Sequence, residues 1–362
     1  PTLPLVSLGL WSVTRNDWTL WLTLGVVYGL FPVLDLLLGD DRSNPPEASV
    51  PALESDPWYR RLVYAAVPLI YVTLIAGTWF AVTMEPGPVG YVGLVLSIGW
   101  IGAAGINVGH ELGHKKAPFD RWMARLALAA TGYGHFQIEH VRGHHRDVAT
   151  PEDSASSRLG ESYYRFMGRE IPGGFRRAWR LETERLARQG RGPWTIGNEI
   201  LQPALITLAV FGGLVVWLGW QALPFLVLQA AFAYTLLSAA NYVEHYGLLR
   251  ERVAGGRYER PRPCHSWNSN HTVSNLMLYQ LQRHSDHHAH PTRSYQALRH
   301  FDEAPQLPTG YFGMFVVALV PPLWRRVMDP RVLAHAGGDL SKVNVAPGSR
   351  HRYEDRCRAA AA

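Results

Sequence analysis

The sequence predicts an all-α integral membrane protein, with six transmembrane helices (the first partly truncated) and a cytoplasmic helical cap that holds a metal site. Three observations predict it. Charged residues are missing from long stretches of a chain that carries 35 Lys and Arg against 29 Asp and Glu. The arginines collect in only some of the segments between those stretches, and most of the 16 histidines fall in those same segments at short regular spacings. The 2 cysteines stand apart, so a disulfide framework or a cysteine-built metal module is excluded, and any metal is held mainly by histidine. The 13 tryptophans suit two membrane interfaces. The net charge of +6 points to an anionic partner or a membrane surface without choosing between them.

A bilayer core is crossed by roughly 20 apolar residues in a helix. Pro1–Val13 is apolar but short. The chain begins with proline, so this segment reads as the end of a span whose start is missing. Trp18–Leu34 is uncharged, and the apolar run reaches Gly39 with only Asp35 inside it. Leu62–Met84 and Pro86–Gly109 are the next two spans. Leu201–Val243 holds two more, folded back at Gly219–Pro224. The short connections Thr14–Asp17, Glu85–Gly90 and Gly219–Pro224 contain one basic residue, Arg15, whereas Asp40–Arg61, His110–Ile200 and the chain after Glu244 are arginine-rich. Cytoplasmic loops carry the excess of Lys and Arg, so the latter face the cytoplasm. Four regions result: residues 1–109 with spans one to four and a cytoplasmic loop at 40–61, a cap segment 110–200, spans five and six in 201–243, and a second cap segment 244–362.

Within the cap, Phe175, Ala178, Trp179 and Leu186 share one side of a helical projection, and Arg176, Arg177, Arg180 and Arg188 the other. Such a helix either lies on the membrane surface or packs on the cap, and Glu182 interrupts its apolar stripe. Pro305–Pro322 is apolar but broken by Pro308, Gly310 and Gly313, which reads as cap structure touching the membrane. Ala359–Ala362 reads as an appended remnant.

The histidines carry the chemistry. His110 and His114 are four apart at the exit of the third uncharged stretch, so in a continuing helix both rings leave one face. His140, His144 and His145 form one box, and His284, His287 and His288 another. In each, the i, i+3 or i, i+4 pair shares a face, and the adjacent histidine points about 100° away, where it reaches a second metal. Chance produces two such boxes in about one chain in a thousand of this composition. His245 ends the last uncharged stretch as a ninth candidate. The other seven, His135, His265, His271, His290, His300, His335 and His351, read as ordinary polar residues, with His271 and His290 near enough to the boxes to be reserves. His110-Glu111-Leu112-Gly113-His114 also matches a zinc-protease pattern in which Glu111 is the general base. That reading needs about three ligands and leaves six of the nine histidines idle, whereas two metals use them all. Imidazole alone does not name the metal. Glu111, Glu139, Glu244 and Asp286 each adjoin a candidate ligand and are candidates to accept a ring N–H, unless they are solvated surface acids. A metal transporter is the non-enzyme alternative, but its ligands belong inside the spans, and here the midspans are bare.

The segments Gly109–Lys115, Glu139–His145, Asn241-Tyr-Val-Glu-His-Tyr-Gly247 and Leu281–Pro291 resemble the signature boxes of the integral-membrane alkane 1-monooxygenases. The resemblance covers nearly the whole chain, including Asn44-Pro-Pro46, Asp147–Pro151 and Ser266–His271. The Asn-Tyr-x-Glu-His-Tyr-Gly element separates this family from the membrane fatty-acid desaturases and hydroxylases, which share only the histidine boxes. The resemblance implies a non-haem di-iron enzyme of the bacterial inner membrane. It hydroxylates the terminal carbon of linear alkanes with O2 and with electrons from rubredoxin, itself reduced by an NADH-linked reductase. Its ligands fall on His110, His114, His140, His144, His145, His245, His284, His287 and His288. An alkane has no polar handle, so an apolar tunnel must select it. Ala103, Ile106, Asn107, Leu237, Ser238 and Asn241, one or two turns from His110 or His245, are candidates for its deep end, with plain helix packing as the alternative. Rubredoxins are acidic, so Arg142, Arg146 and Arg283 are candidates for docking or electron entry, or else for pairing with the acids of the boxes.

Overall fold

The computed structural model describes residues 1–361, with side chains to Asp355; Cys357 and the alanine run 359–362 lie outside the described side chains. The described residues form helices and loops joined by isolated bridges, without strands. Among the described residues, five helices are long and apolar enough to cross a membrane: α2 (Asp17–Leu38), α3 (Pro57–Thr83), α4 (Pro88–Gly113), α8 (Leu201–Leu218) and α9 (Ala222–His245). The apolar α1 (Leu3–Thr14) is shorter. Between α4 and α8 lie α5 (Pro118–Ala129), α6 (residues 136–147) and α7 (Tyr163–Ala187). After α9 come α10 (Thr272–Met277), α11 (His284–Ala289), α12 (Tyr311–Ala318) and α13 (Pro321–His335).

Proline and capping residues set most starts. Pro57, Pro88, Pro118 and Pro321 each stand at the first turn of a helix, where a missing N–H costs nothing. Asp56 caps α3 by accepting from the Trp58 N–H at 2.8 Å. Gly219, at φ 86°, ends α8 and makes the expected turn into α9. The span α2 is irregular inside. It opens with a 3₁₀ turn at Asp17–Trp21 and contains a π-turn at Val26–Leu30, neither of which the run of apolar residues announced.

The chain divides into two compact units. The first comprises Pro1–Val33, Ala48–Val141 and Phe175–Leu237. Its core is built from Leu20, Ile70, Leu74, Phe80, Leu94, Ile98 and Phe225. Helices approach closely through glycine: a Cβ on Gly99 would stand 2.6 Å from the Gln229 carbonyl oxygen of α9. Asp17 ties helix ends together, accepting from Trp11 Nε1 at 2.8 Å and from the Gly90 N–H at 3.2 Å. The second half of α7 packs as an ordinary amphipathic helix, with one correction to the projected faces, at Arg177, while Glu182 interrupts the apolar stripe as expected. Arg177, projected onto the polar side, is buried 3.6 Å from Glu139. Glu182 sits fully buried, held by Arg185 at 2.6 Å and 2.7 Å and by the Glu199 N–H at 2.7 Å.

The second unit comprises Leu34–Glu47, Arg142–Gly174 and Ser238–Ala362. Buried aromatics fix the end of α9: Tyr246 Oη donates to Asp329 at 2.9 Å, Tyr242 and Tyr246 pack on Trp324, and Trp267 Nε1 donates to the Tyr246 carbonyl at 2.9 Å. Asp35, the one acid inside the α2 run, is buried and accepts from the Ser274 hydroxyl and from the Val273 and Ser274 N–H groups at 2.8 and 3.1 Å, which caps α10.

Candidate metal centre

In the first unit, α4 runs without a break through His110, and His114 follows at its C-cap. One turn apart, the two rings leave the same side with centroids 5.1 Å apart. His140 of α6 joins them, 4.5 Å from His110 and 5.2 Å from His114. A ring nitrogen of each lies within 4.8 Å of those of the other two. Phe136 stacks on His140 at 4.9 Å and belongs to an apolar cluster with Ile106, Leu128, Tyr133 and Ala233, against which Ala103 and Leu237 pack. Three of the expected tunnel residues thus occupy one apolar cluster that reaches the histidine trio through Phe136. Asn107 is half-buried on the same helix.

In the second unit, His144, His245, His284 and His288 are all buried, and their donor nitrogens lie within 4.8 Å of one another. His284 Nε2 and His288 Nε2 are 2.9 Å apart. Beside them His145 Nε2 and His287 Nε2 are 3.0 Å apart, and the His145 ring lies 4.4 Å from that of His288. The sharing of faces within the second box differs from expectation. His140 belongs with His110 and His114, and His144 with the four-histidine group. The cause is local: Glu139–His144 is a π-turn, so the register of an α-helix does not hold there. In the third box the i, i+4 pair His284 and His288 converges, and His287 is the histidine that turns aside.

These donors fit a metal. Two imidazole nitrogens bound at right angles about 2.1 Å from one ion are about 3.0 Å apart, the spacing of both close pairs. His245 is fully buried with neither ring nitrogen hydrogen-bonded, a costly state for a polar group unless another partner takes its lone pair. Burial holds the His288 pKa well below the ordinary imidazole value, and His145, His284, His144 and His245 add to the effect. Neutral imidazoles are the protonation state that ligation requires.

The surrounding acids divide into two kinds. His144 Nδ1 donates to Asp153 Oδ2 at 2.8 Å, which turns Nε2 toward the other three histidines as the atom that could bind a metal. Sequence reasoning missed Asp153, since nothing in its spacing from the second box marks it. Glu244 Oε2 stands 3.2 Å from His284 Nε2. Of the remaining expected acids, Glu111 pairs with Lys115 at 2.8 Å and Glu139 faces Arg177. Asp286 is turned elsewhere: it accepts from His290 Nδ1 at 2.7 Å, Arg293 Nη1 at 2.7 Å and the Arg299 N–H at 2.9 Å, so it orders the loop after α11. His290 and His271 are likewise paired with acids, Asp286 and Asp40.

Two tunnel candidates and one docking candidate have different surroundings from those expected. Asn241 Nδ2 donates to Glu170 Oε1 at 3.1 Å, and the Ser238 hydroxyl lies beside the same carboxyl. Arg283 is buried, donating to the carbonyls of Leu298, Asp41 and Ser43 at 2.8, 2.9 and 3.1 Å, so it presents no docking surface. Arg146 is exposed and forms a fork with Asp147, and Arg142 is half-buried.

Residues 86–318 match the fatty acid desaturase family. Alkane 1-monooxygenase 1 of Alcanivorax borkumensis is 52% identical over 358 residues, covering 98% of this chain and 88% of that protein. Alkane 1-monooxygenase of Pseudomonas putida is 52% identical over 355 residues, with the same coverage of each. The hydroxylase component of the xylene/toluene monooxygenase of Pseudomonas putida is 31% identical over 312 residues, covering 84% of this chain and 80% of its own. With its histidines gathered at the ends of apolar helices and this identity along almost its full length, the chain belongs to the integral-membrane alkane 1-monooxygenase family.

Proposed function

We propose that the protein hydroxylates the terminal carbon of linear alkanes, converting the hydrocarbon, O2, two electrons and two protons into a primary alcohol and water. The observation that carries this reading is the gathering of buried imidazoles in a chain 52% identical to alkane 1-monooxygenases. No side chain attacks an unactivated C–H bond, so a redox metal must activate O2, and iron bound by imidazole is a cofactor suited to that task. His110, His114, His140, His144, His145, His245, His284, His287 and His288 would be its ligands, and His144, His245, His284 and His288 would hold one iron.

The chain's own groups do the rest. Asp153 holds His144 in one tautomer. The apolar residues around Ile106, Ala103, Leu237 and Phe136 form the deep end of the substrate tunnel, excluding water and presenting a methyl group by shape alone. Each methylene contributes about 0.8 kcal/mol on burial, so chain-length preference is broad. Electrons come from rubredoxin, kept reduced by an NADH-dependent reductase, and the exposed Arg146 with Arg142 supports docking of an acidic donor. The arginine-rich segments support a cytoplasmic position for the histidines at the inner membrane.

The test is purified protein in lipid, supplied with a medium-chain alkane, rubredoxin, its reductase and isotopically labelled O2. The expected result is labelled 1-alkanol and about two irons per chain. An unsaturated product would move the protein to the desaturase branch that the family model describes. One zinc per chain, with activity kept after removal of His284, His287 and His288, would overturn the reading. Turnover without rubredoxin would overturn the donor assignment.

A further inference from the structure

Glu170 is a buried acid that neither the histidine boxes nor the tunnel accounts for. It lies on α7 and is 4% exposed. Asn241 Nδ2 donates to its Oε1 at 3.1 Å, the Ser238 hydroxyl lies beside the carboxyl, and neither Ser238 Oγ nor Glu170 Oε2 completes a hydrogen bond in that arrangement. Both α9 partners sit near the metal-binding end of that helix, Asn241 one turn before His245. From the chain preceding α7, the segment 153–156 comes close. A Cβ on Gly173 would meet Ser154 Cβ at 3.0 Å, and Arg169, next to Glu170, donates to the Ser154 and Ser156 carbonyls at 2.9 and 3.1 Å and to Glu161 at 2.9 Å. The charged groups acting on Glu170 are therefore Asp153, which opposes its ionisation, and Arg169, which favours it. Burial dominates and raises its pKa to about 7, against the weaker opposing effect of Ser238 and Asn241.

We infer that Glu170 is the internal proton donor of the reaction, passing its carboxyl proton through the Ser238 hydroxyl toward the histidine cluster. The inference rests on the hydroxylase reading, whose reaction consumes two protons in forming water from one oxygen atom of O2. The Glu170 O–H bond breaks, Ser238 Oγ accepts that proton and releases its own, and the released proton becomes one of the two on the departing water. The Glu170 carboxylate is then reprotonated from the aqueous side. Ser238 and Asn241, which the sequence suggested as tunnel wall, act here as a relay and as the group that orients the acid.

The experiment compares wild type, Glu170→Gln, Glu170→Asp and Ser238→Ala in the full iron-loaded protein. Gln keeps an oxygen for Asn241 but has no proton to give. Its alcohol formation falls by about 10²-fold with iron content unchanged, and electrons are diverted so that O2 consumed exceeds alcohol formed. Wild-type rate declines as pH rises through about 7, because the donor must be protonated, and Glu170→Gln loses that alkaline limb. Asp restores part of the rate, whereas a purely structural acid would be replaced better by isosteric Gln. Ser238→Ala keeps the acid and lowers alcohol formed per O2. A wild-type rate and pH profile in Glu170→Gln would overturn the inference, and so would unchanged coupling in Ser238→Ala, which stands even if Glu170→Gln fails to fold. Wild type that converts no alkane would instead sink the function itself.

Discussion

At the residue scale, the most informative contact is the one between His144 and Asp153. An imidazole alone divides its proton between two nitrogens, and a carboxylate accepting from Nδ1 removes that choice. Asp153→Ala should weaken iron binding by about 10 to 100-fold, measured by competition with a chelator. Asp286→Asn, at an acid whose partners are His290, Arg293 and Arg299, should lower thermal stability without that loss of affinity. Equal loss in both variants would sink the distinction between the two acids. All nine candidate histidines were legible in the sequence, because residues one turn apart on a helix leave a regular spacing. Asp153 and Glu170 were not. Asp153 reaches His144 from a loop, and Glu170 meets Asn241 across 71 positions, so no local period marks either of them. Arg283 shows the opposite failure: a basic residue beside a box looks like a docking group until its carbonyl partners are seen.

At the element scale, the spans were legible because a bilayer tolerates no run of charges, and the absence of charge needs no tertiary knowledge to read. Their irregular interior was less so. The π-turns in α2 and α6 depend on how each helix meets its neighbours, as do the buried ion pairs of α7. Glycine sets how closely the spans pack. At Gly99 the obstacle to a larger residue is the Gln229 backbone carbonyl, 2.6 Å from the missing Cβ, which cannot swing aside as a side-chain end does. Gly99→Ala must therefore separate α4 from α9 and should cost about 1 to 3 kcal/mol, read as a lowered unfolding temperature in detergent. Gly212→Ala on α8 has open space at the same atom and should leave the unfolding temperature within error or raise it slightly. A stable Gly99→Ala would show that the two helices are held apart by other contacts.

At the scale of the whole molecule, the distribution of arginine predicts how the chain is threaded through the membrane. The turn between α8 and α9 carries no basic residue, whereas α7 and the loop after α9 hold many. Because α8 and α9 are joined by only a few residues, the predicted threading has them cross in opposite directions, with the end of α9 on the cytoplasmic side. That side is the one bearing His245, so the sidedness of the histidines and the bias of the arginines are a single claim, testable without reference to catalysis. In a chain with Cys264 and Cys357 replaced by serine, single cysteines report the side directly. Gln221→Cys and Thr83→Cys, at span ends that the predicted threading puts outside, should react with a membrane-impermeant maleimide in intact cells. Arg188→Cys and Arg257→Cys should react only after the membrane is opened. The reverse pattern would place the histidines outside, where a cytoplasmic electron donor could not reach them, and would overturn the rubredoxin assignment together with the orientation.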